Sequence, residues 1–482
     1  MNVINLEAYK DKVLGCWTGK NIGGTLGAPF ERTREINDIN FYVQDLKGNP
    51  EPNDDLDLQL IWLEAIKKHG INNITPSLLG EYWLGNINGP WNEYGVAKMN
   101  MRAGLMPPLS GSCNNEQWKY SNGAWIRSEI WACISPGEPD KAIKYAYMDA
   151  CVDHCGEGIY AEMFTAALES AAFIVSDINE LIKIGLSKIP EDCRVTRSVH
   201  IAVDGYQQGK DWLTTREALV KDSVDLGWFQ APANIGFAIL GLLYGEGDFG
   251  KSICRAVNCG DDTDCTAATV GAILGIIGGY KSIPEKWLDP IGESIRNICI
   301  NCFLRVPKNL NELTEQVVTE ALKHNSNANS QIKLNSEATS VSSEYCKQLS
   351  CVETATKLWA LSPYGLTFDL PHIQLTVDYI NDLQIASGEE KKIKIKINHK
   401  LNVYEHLITL DWRLPDDWEI KPGRKSCCYV DERTQECSFS IIPGQVDGGF
   451  LYIELEIKDC KRMNPFILTV PFQCKDTVKN SP

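Results

Sequence analysis

Two short acidic clusters hold the residues best suited to chemistry. One is "NDDLDLQL" at residues 53–60, with Asp54, Asp55 and Asp57; the other is "CGDDTDCTAATVGAILG" at residues 259–275, with Asp261, Asp262 and Asp264. A single Asp at a helix N-terminus is favoured by the unpaired N–H groups and the dipole there. Two or three neighbouring carboxylates repel one another, and where the helix enters a packed apolar layer they need a counter-charge. A hard divalent cation supplies it. Oxygen donors, with Asn or Thr beside the aspartates, suit Mg²⁺ or Mn²⁺ and not zinc. Two such clusters on separate helices would hold a pair of ions and leave positions open for water and the oxygens of a substrate.

The elements that must carry these clusters are legible from glycine spacing. Ala267, Gly271, Gly275 and Gly279 recur every four residues, as do Gly15, Gly19, Gly23 and Gly27 in "GCWTGKNIGGTLGAPFE" at residues 15–31. On a helix that spacing leaves one face nearly bare. Glycine costs about 1 kcal/mol per helical position relative to alanine, so each ladder implies the close approach of another helix. Periodic apolar residues continue to about residue 322, which predicts one all-α catalytic domain over 1–322. The polar, Ser- and Asn-rich stretch at 323–363 reads as a linker with a short helix. Over 364–482 the period changes to two, in segments such as "KKIKIKINHKL" and "LYIELEIKD", which predicts an antiparallel β-sandwich accessory domain.

Composition narrows the partners. The 482 residues carry 47 Lys and Arg against 63 Asp and Glu, a formal charge of −16, which argues against nucleic acid or an anionic membrane. The longest apolar runs, 231–245 and 266–280, are shorter than the roughly 18 residues that span a bilayer. The first residues lack the basic and apolar pattern of a secretory signal, and the 18 scattered cysteines read as reduced thiols, so a cytoplasmic location is expected.

Three other patterns have plain structural readings. "GEGDFGKS" at 245–252 matches a phosphate-loop pattern, but the run before it favours helix and Glu246 and Asp248 would oppose phosphate. It reads as a turn between two helices. "CINC" at 299–302, and Cys151, His154 and Cys155, offer zinc-type ligands, but on apolar helical sequence they read as buried residues. No G-x-S-x-G nucleophile elbow occurs, and "PLSGS" reads as a loop.

Taken in order, six motifs resemble the ADP-ribosylglycohydrolase family over roughly residues 11–287. They are the ladder ending in Glu31; "NDDLDLQL"; "EYGVAKMNMRAGLMPPLSG" at 93–111; "NGAWIRSEIW" at 122–131; "DHCGEGIYAEMFTAA" at 153–167; and "CGDDTDCTAATVGAILG". "DWRLPDDWEIKPG" at 411–423 looks like the edge of an immunoglobulin-like accessory domain. The resemblance implies a dinuclear magnesium site held by Asn53, Asp54, Asp55, Asp262, Asp264 and Cys265, with Glu31 beside the metals. Asn53 and Cys265 stand where the family usually has Thr. It also implies that His154 borders the ligand, with Gly156, Gly158 and Tyr160 in the adjoining loop. Arg127 is read either as a phosphate contact or as a structural ion pair.

The expected activity is metal-dependent hydrolysis of an N- or O-ribosyl glycosidic bond in a small ribosyl or ADP-ribosylated substrate. Glu31, Asp55 and Asp264 are the expected catalytic residues. The alternatives are hydrolysis of a smaller N-riboside such as a nucleoside, and a non-catalytic module that binds ADP-ribose or carbohydrate.

Overall fold

The computed structural model describes residues 2–301, 303–326, 330–400, 406–430 and 434–475. Cys302, half of the "CINC" pair, lies outside these residues. The chain divides into a unit of residues 1–98 and 115–360 and a unit of residues 99–114 and 361–482.

The first unit is built mainly from helices. Those that carry or support the acidic clusters are α1 (Leu6–Gly27), α2 (Asp54–His69), α3 (Asn92–Arg102, of which residues 92–98 belong to this unit), α4 (Pro139–Ala150), α5 (Glu157–Ala172), α6 (Ala231–Tyr244), α7 (Phe249–Asn258), α8 (Thr263–Gly278) and α9 (Leu310–Asn325). The two glycine ladders face each other. A Cβ at Gly15, Gly19, Gly23 or Gly27 would overlap the backbone carbonyl of Gly275, Gly271, Ala267 or Thr263 respectively. This descending order makes α1 and α8 antiparallel. It also sets the end of α1 against the start of α8, so Glu31 and the second acidic cluster meet at one end of the helix pair.

Strand structure enters this unit where an all-α fold was expected. β1 (Asn2–Asn5) pairs in parallel with β2 (Ile332–Asn335). In the stretch read as a linker, short helices also form at Ser343–Gln348 and Glu353–Trp359. Buried Ile332, Tyr345 and Ala355 hold this stretch, and the Tyr345 hydroxyl donates to the Gly137 carbonyl at 2.8 Å. The apolar residues are too sparse for a periodic signal, so their burial is visible only in the fold. "GEGDFGKS" is the junction between α6 and α7: no strand precedes it, and Asp248 caps α7 by accepting from Lys251 N at 2.7 Å.

The second unit carries two five-stranded sheets, of order β3-β4-β6-β10-β8 and β5-β12-β11-β7-β9. The strands are β3 (Gly365–Asp369), β4 (Ile373–Asp378), β5 (Gln384–Ile385), β6 (Lys391–His399), β7 (His406–Arg413), β8 (Glu419–Lys421), β9 (Lys425–Val430), β10 (Gln435–Ile442), β11 (Gly449–Asp459) and β12 (Phe466–Cys474). Pairing is antiparallel except between β12 and β5. The period of two does what it should: Ile393, Ile395 and Ile397 of β6 are buried while the lysines between them are not. These isoleucines share a core with Leu410, Trp412 and Leu455 of the other sheet. Cys428 and Cys437 form a disulfide, so the expectation that every cysteine is a reduced thiol fails at this pair. They are nine positions apart in sequence, and only the packing of β9 and β10 brings them together. Among the described residues no helix is long and apolar enough to cross a membrane.

Candidate active site

Local capping explains how α2 presents its carboxylates. Asn53 is the N-cap, its Oδ1 accepting from Asp55 N at 2.7 Å, while its Nδ2 donates to Asp264 Oδ2 at 3.3 Å. Asp54 accepts from the Tyr94 hydroxyl of α3 at 2.8 Å. Asp55 is 1% exposed, with the Lys20 ammonium of α1 3.9 Å away and the Cys265 thiol 3.6 Å from its Oδ1. On the α8 side, Asp262 accepts from Asn122 Nδ2 at 2.6 Å.

One aspartate of each cluster has a different role. Asp57 accepts from Asn297 Nδ2, Ile298 N and Cys299 N at 2.6–2.8 Å and so fastens the 297–299 segment to α2. Asp261, at φ 71°, accepts from Phe229 N at 2.7 Å and from Arg34, and its backbone pairs with Arg32 and Thr33. That clasp holds the segment just after Glu31 against the start of α8.

Two ligand-capable groups result. Glu31, Asp262 and Asp264 have donor oxygens within 4.8 Å of one another, and so do the donor atoms of Asp55, Asp264 and Cys265. Asp264 belongs to both. Negative charge predominates: Glu31, Asp54, Asp55, Asp262 and Asp264 line one space, while among the described residues the buried Lys20 is already bonded to Glu129 at 2.8 Å and the exposed Arg32 lies 3.7 Å from Glu31. Burial and the neighbouring Asp264 push the Glu31 carboxyl up to about 7 and Asp54 up to about 6. Burial also raises Asp55, and burial together with Asp264 raises Asp262. Buried Asp55 Oδ2, Asp262 Oδ1 and Asp264 Oδ1 have no hydrogen-bond partner. Orphaned carboxylate oxygens aimed into a common space are what a hard cation would satisfy, so this donor set fits one.

These groups line a cavity of about 460 Å³, whose other walls include Trp91, Glu93, Tyr94, Trp228 and Phe229. That volume is within the usual range for a small-molecule site. Burial raises Glu93 to about 7. Glu93, Tyr94 and Asn122 open two of the six motifs, but their place at the site, like that of the aromatic walls, carries no spacing signature. They come from segments that only the fold brings to α2 and α8.

The remaining sequence-derived residues are elsewhere. His154 is fully buried, with Nδ1 2.9 Å from Asp153 and Nε2 3.1 Å from Ser121 Oγ. Gly158 packs on the His154 ring, Gly156 faces Tyr120 at φ 54°, and Tyr160 is half-buried on α5. None of the four is part of the carboxylate cavity wall. Of the two readings for Arg127, the structure has the ion pair. It is fully buried, with Nε 2.8 Å from Asp149 and Nη2 2.7 Å from Asp153, and its guanidinium lies over the Trp83 ring.

A family model described as ADP-ribosylglycohydrolase matches residues 5–326, well over half of the chain. The chain belongs to the ADP-ribosylglycohydrolase family, a family of metal-dependent glycosyl hydrolases. It is similar to the ADP-ribosylarginine hydrolase Tri1 of Serratia proteamaculans (strain 568), 37% identical over 73 residues, which are 15% of this chain and 20% of that protein. The match thus spans about a fifth of that relative's length. A solved structure described as an ADP-ribosylglycohydrolase-related protein complex aligns with a TM-score of 0.47 at 19% identity, over 66% of this chain and 99% of that one.

Proposed function

We propose that this protein hydrolyses a ribosyl glycosidic bond and releases ADP-ribose from an ADP-ribosylated substrate, with Mg²⁺ as its metal and Mn²⁺ as a substitute. The observation that carries this reading is the pair of carboxylate groups sharing Asp264 on an aromatic-walled cavity. Asp54, Asp55, Asp262 and Asp264 are the proposed ligands, with Asn53 and Cys265 beside them. When bound, the ions neutralise these carboxylates and provide Lewis acidity toward ribose hydroxyls and water.

The protein's own part follows from charge. Breaking the bond to the anomeric carbon develops positive charge there, which the surrounding carboxylates stabilise. Glu31, beside Asp262 and Asp264 in the cavity, is the candidate to accept the proton of the attacking water. Asp55 and Asp264 hold the reacting centre, and Trp91, Trp228 and Phe229 offer flat apolar faces to a base or sugar.

Two regional readings accompany this one. The shared core of the two sheets supports an immunoglobulin-like sandwich over 364–482. The many free thiols support a cytoplasmic setting.

The test is chromatographic detection of product from ADP-ribosyl-arginine, ADP-ribosyl-serine and a nucleoside panel, each with Mg²⁺ or EDTA. Metal-dependent release of ADP-ribose is expected. Release of base from nucleosides alone would shift the substrate to a smaller riboside. Ligand binding unchanged in EDTA, with no product, would make the protein a binding module.

A further inference from the structure

The second unit contains a cluster unrelated to the carboxylate cavity. His372, just before β4, His406, the first residue of β7, and Asp459, the last of β11, are each at most 2% exposed. Asp459 Oδ2 is 2.5 Å from His406 Nδ1 and 3.2 Å from His372 Nε2, and one donor atom from each residue lies within 4.8 Å of the others. The ring of His399, the last residue of β6, has its centroid 4.7 Å from that of His406. We propose that His372, His406 and Asp459 form a Zn²⁺ site.

Three observations favour an ion over a plain hydrogen-bonded cluster. First, neither ring nitrogen of His372 makes an aligned hydrogen bond, although the residue is fully buried. A buried imidazole left in that state is costly, and a bound cation satisfies it. Second, the outer oxygen of the carboxylate is already held: Asp459 Oδ1 accepts from Lys461 N at 2.9 Å, which leaves Oδ2 turned toward the imidazoles. Such support of a ligand by a neighbouring donor is usual at metal sites. Third, the donor chemistry is selective. Two imidazoles and one carboxylate suit zinc, whereas Mg²⁺ and Ca²⁺ take oxygen ligands.

The dimensions are close to what zinc needs. Ligand bonds of about 2.0–2.2 Å at tetrahedral angles place donor atoms roughly 3.3 Å apart. The 3.2 Å contact between Asp459 and His372 nearly matches that separation, whereas the 2.5 Å contact between Asp459 and His406 is shorter and would have to open on binding.

The topology says what the ion would do. His372 and His399 ride on the first sheet, where Ile373 pairs with His399 and Lys400 N donates to the His372 carbonyl at 3.0 Å. His406 and Asp459 ride on the second, at neighbouring ends of β7 and β11. One Zn²⁺ would therefore cross-link the two sheets through His372 on one side and His406 and Asp459 on the other.

The experiment uses the full chain, stripped with EDTA and returned to buffer containing excess Mg²⁺, then titrated with Zn²⁺ by calorimetry with metal content read by mass spectrometry. One equivalent of Zn²⁺ that Mg²⁺ does not displace is expected. Affinity should fall at least about 100-fold in His372→Gln and Asp459→Asn and stay unchanged in Asp264→Asn. No uptake by the native chain at micromolar Zn²⁺, or unchanged uptake in both β-unit variants, would overturn the proposal. Should those variants fail to fold, the Co²⁺-loaded native chain decides. Tetrahedral d–d bands without thiolate charge transfer support the site, and thiolate bands place the ion on cysteine and overturn it.

Discussion

Asn53 Nδ2 donates to Asp264 Oδ2 across 3.3 Å, joining the first turns of two helices 211 residues apart in the chain. The contact marks the point where the two acidic clusters merge. It also shows why neither cluster is merely a set of helix caps: the cap of α2 bonds to a carboxylate of α8, and that carboxylate belongs to both ligand-capable groups.

Asp264 is accordingly the residue whose charge the site should miss most. Asp264→Asn is expected to lower product release at least about a hundredfold. The metal-free protein should keep its melting temperature or gain slightly, because one of several mutually repelling carboxylates has gone. Activity assay and calorimetry in EDTA check both halves; full activity would remove Asp264 from the site.

Glu31 predicts a pH effect of definite sign. Its folded carboxyl is raised from 4.5 to about 7, so between those values the folded state holds a proton that the unfolded state has released. The contribution of Glu31 to the stability of the metal-free protein should therefore fall as pH rises from about 4.5 to about 7 and level off above. Glu31→Gln should remove that part of the slope. The part due to Asp54, raised from 3.8 to about 6, should remain. Urea unfolding in EDTA across this range is the measurement, and an unchanged slope in the variant would contradict the assignment.

The helix pair predicts two opposite responses to adding one methyl group. Gly19→Ala places a Cβ against the Gly271 carbonyl, and backbone cannot move aside as a side chain can. Despite the helix propensity gained, a net loss of about 1–3 kcal/mol is expected. Gly85→Ala, near the end of the Pro76–Asn86 helix, meets nothing within 4 Å and should be neutral or stabilising by up to about 1 kcal/mol. Denaturant melts of the two variants test the contrast.

Arg127 separates stability from binding. Arg127→Met leaves Asp149 and Asp153 buried without their cation, which should cost about 3–5 kcal/mol. Where the variant still folds, KM for a phosphate-bearing substrate should change little. A raised KM at unchanged stability would instead return Arg127 to substrate.

Much of the carboxylate site was legible because its signals are local. Adjacent aspartates at helix starts and glycines every four residues are patterns within one segment, and their physical costs, like-charge repulsion and lost helix propensity, demand an explanation at once. Asp57 and Asp261 show the limit. They sit in the same clusters, but their hydrogen bonds go to residues 297–299, to Phe229 and to Arg34, partners that no spacing rule names.

The sequence by itself determined which residues bear charge, which helix faces are bare, and where the period changes from helix to strand, since each follows from neighbours along the chain. Only the tertiary structure decided that α1 and α8 are each other's partners, that Asp264 is shared, and that Arg127 is spent on ion pairs. It alone also gathered His372, His399, His406 and Asp459 from four strand ends. The reason is the same in each case: these are contacts across long sequence separation, set by the packing of whole elements.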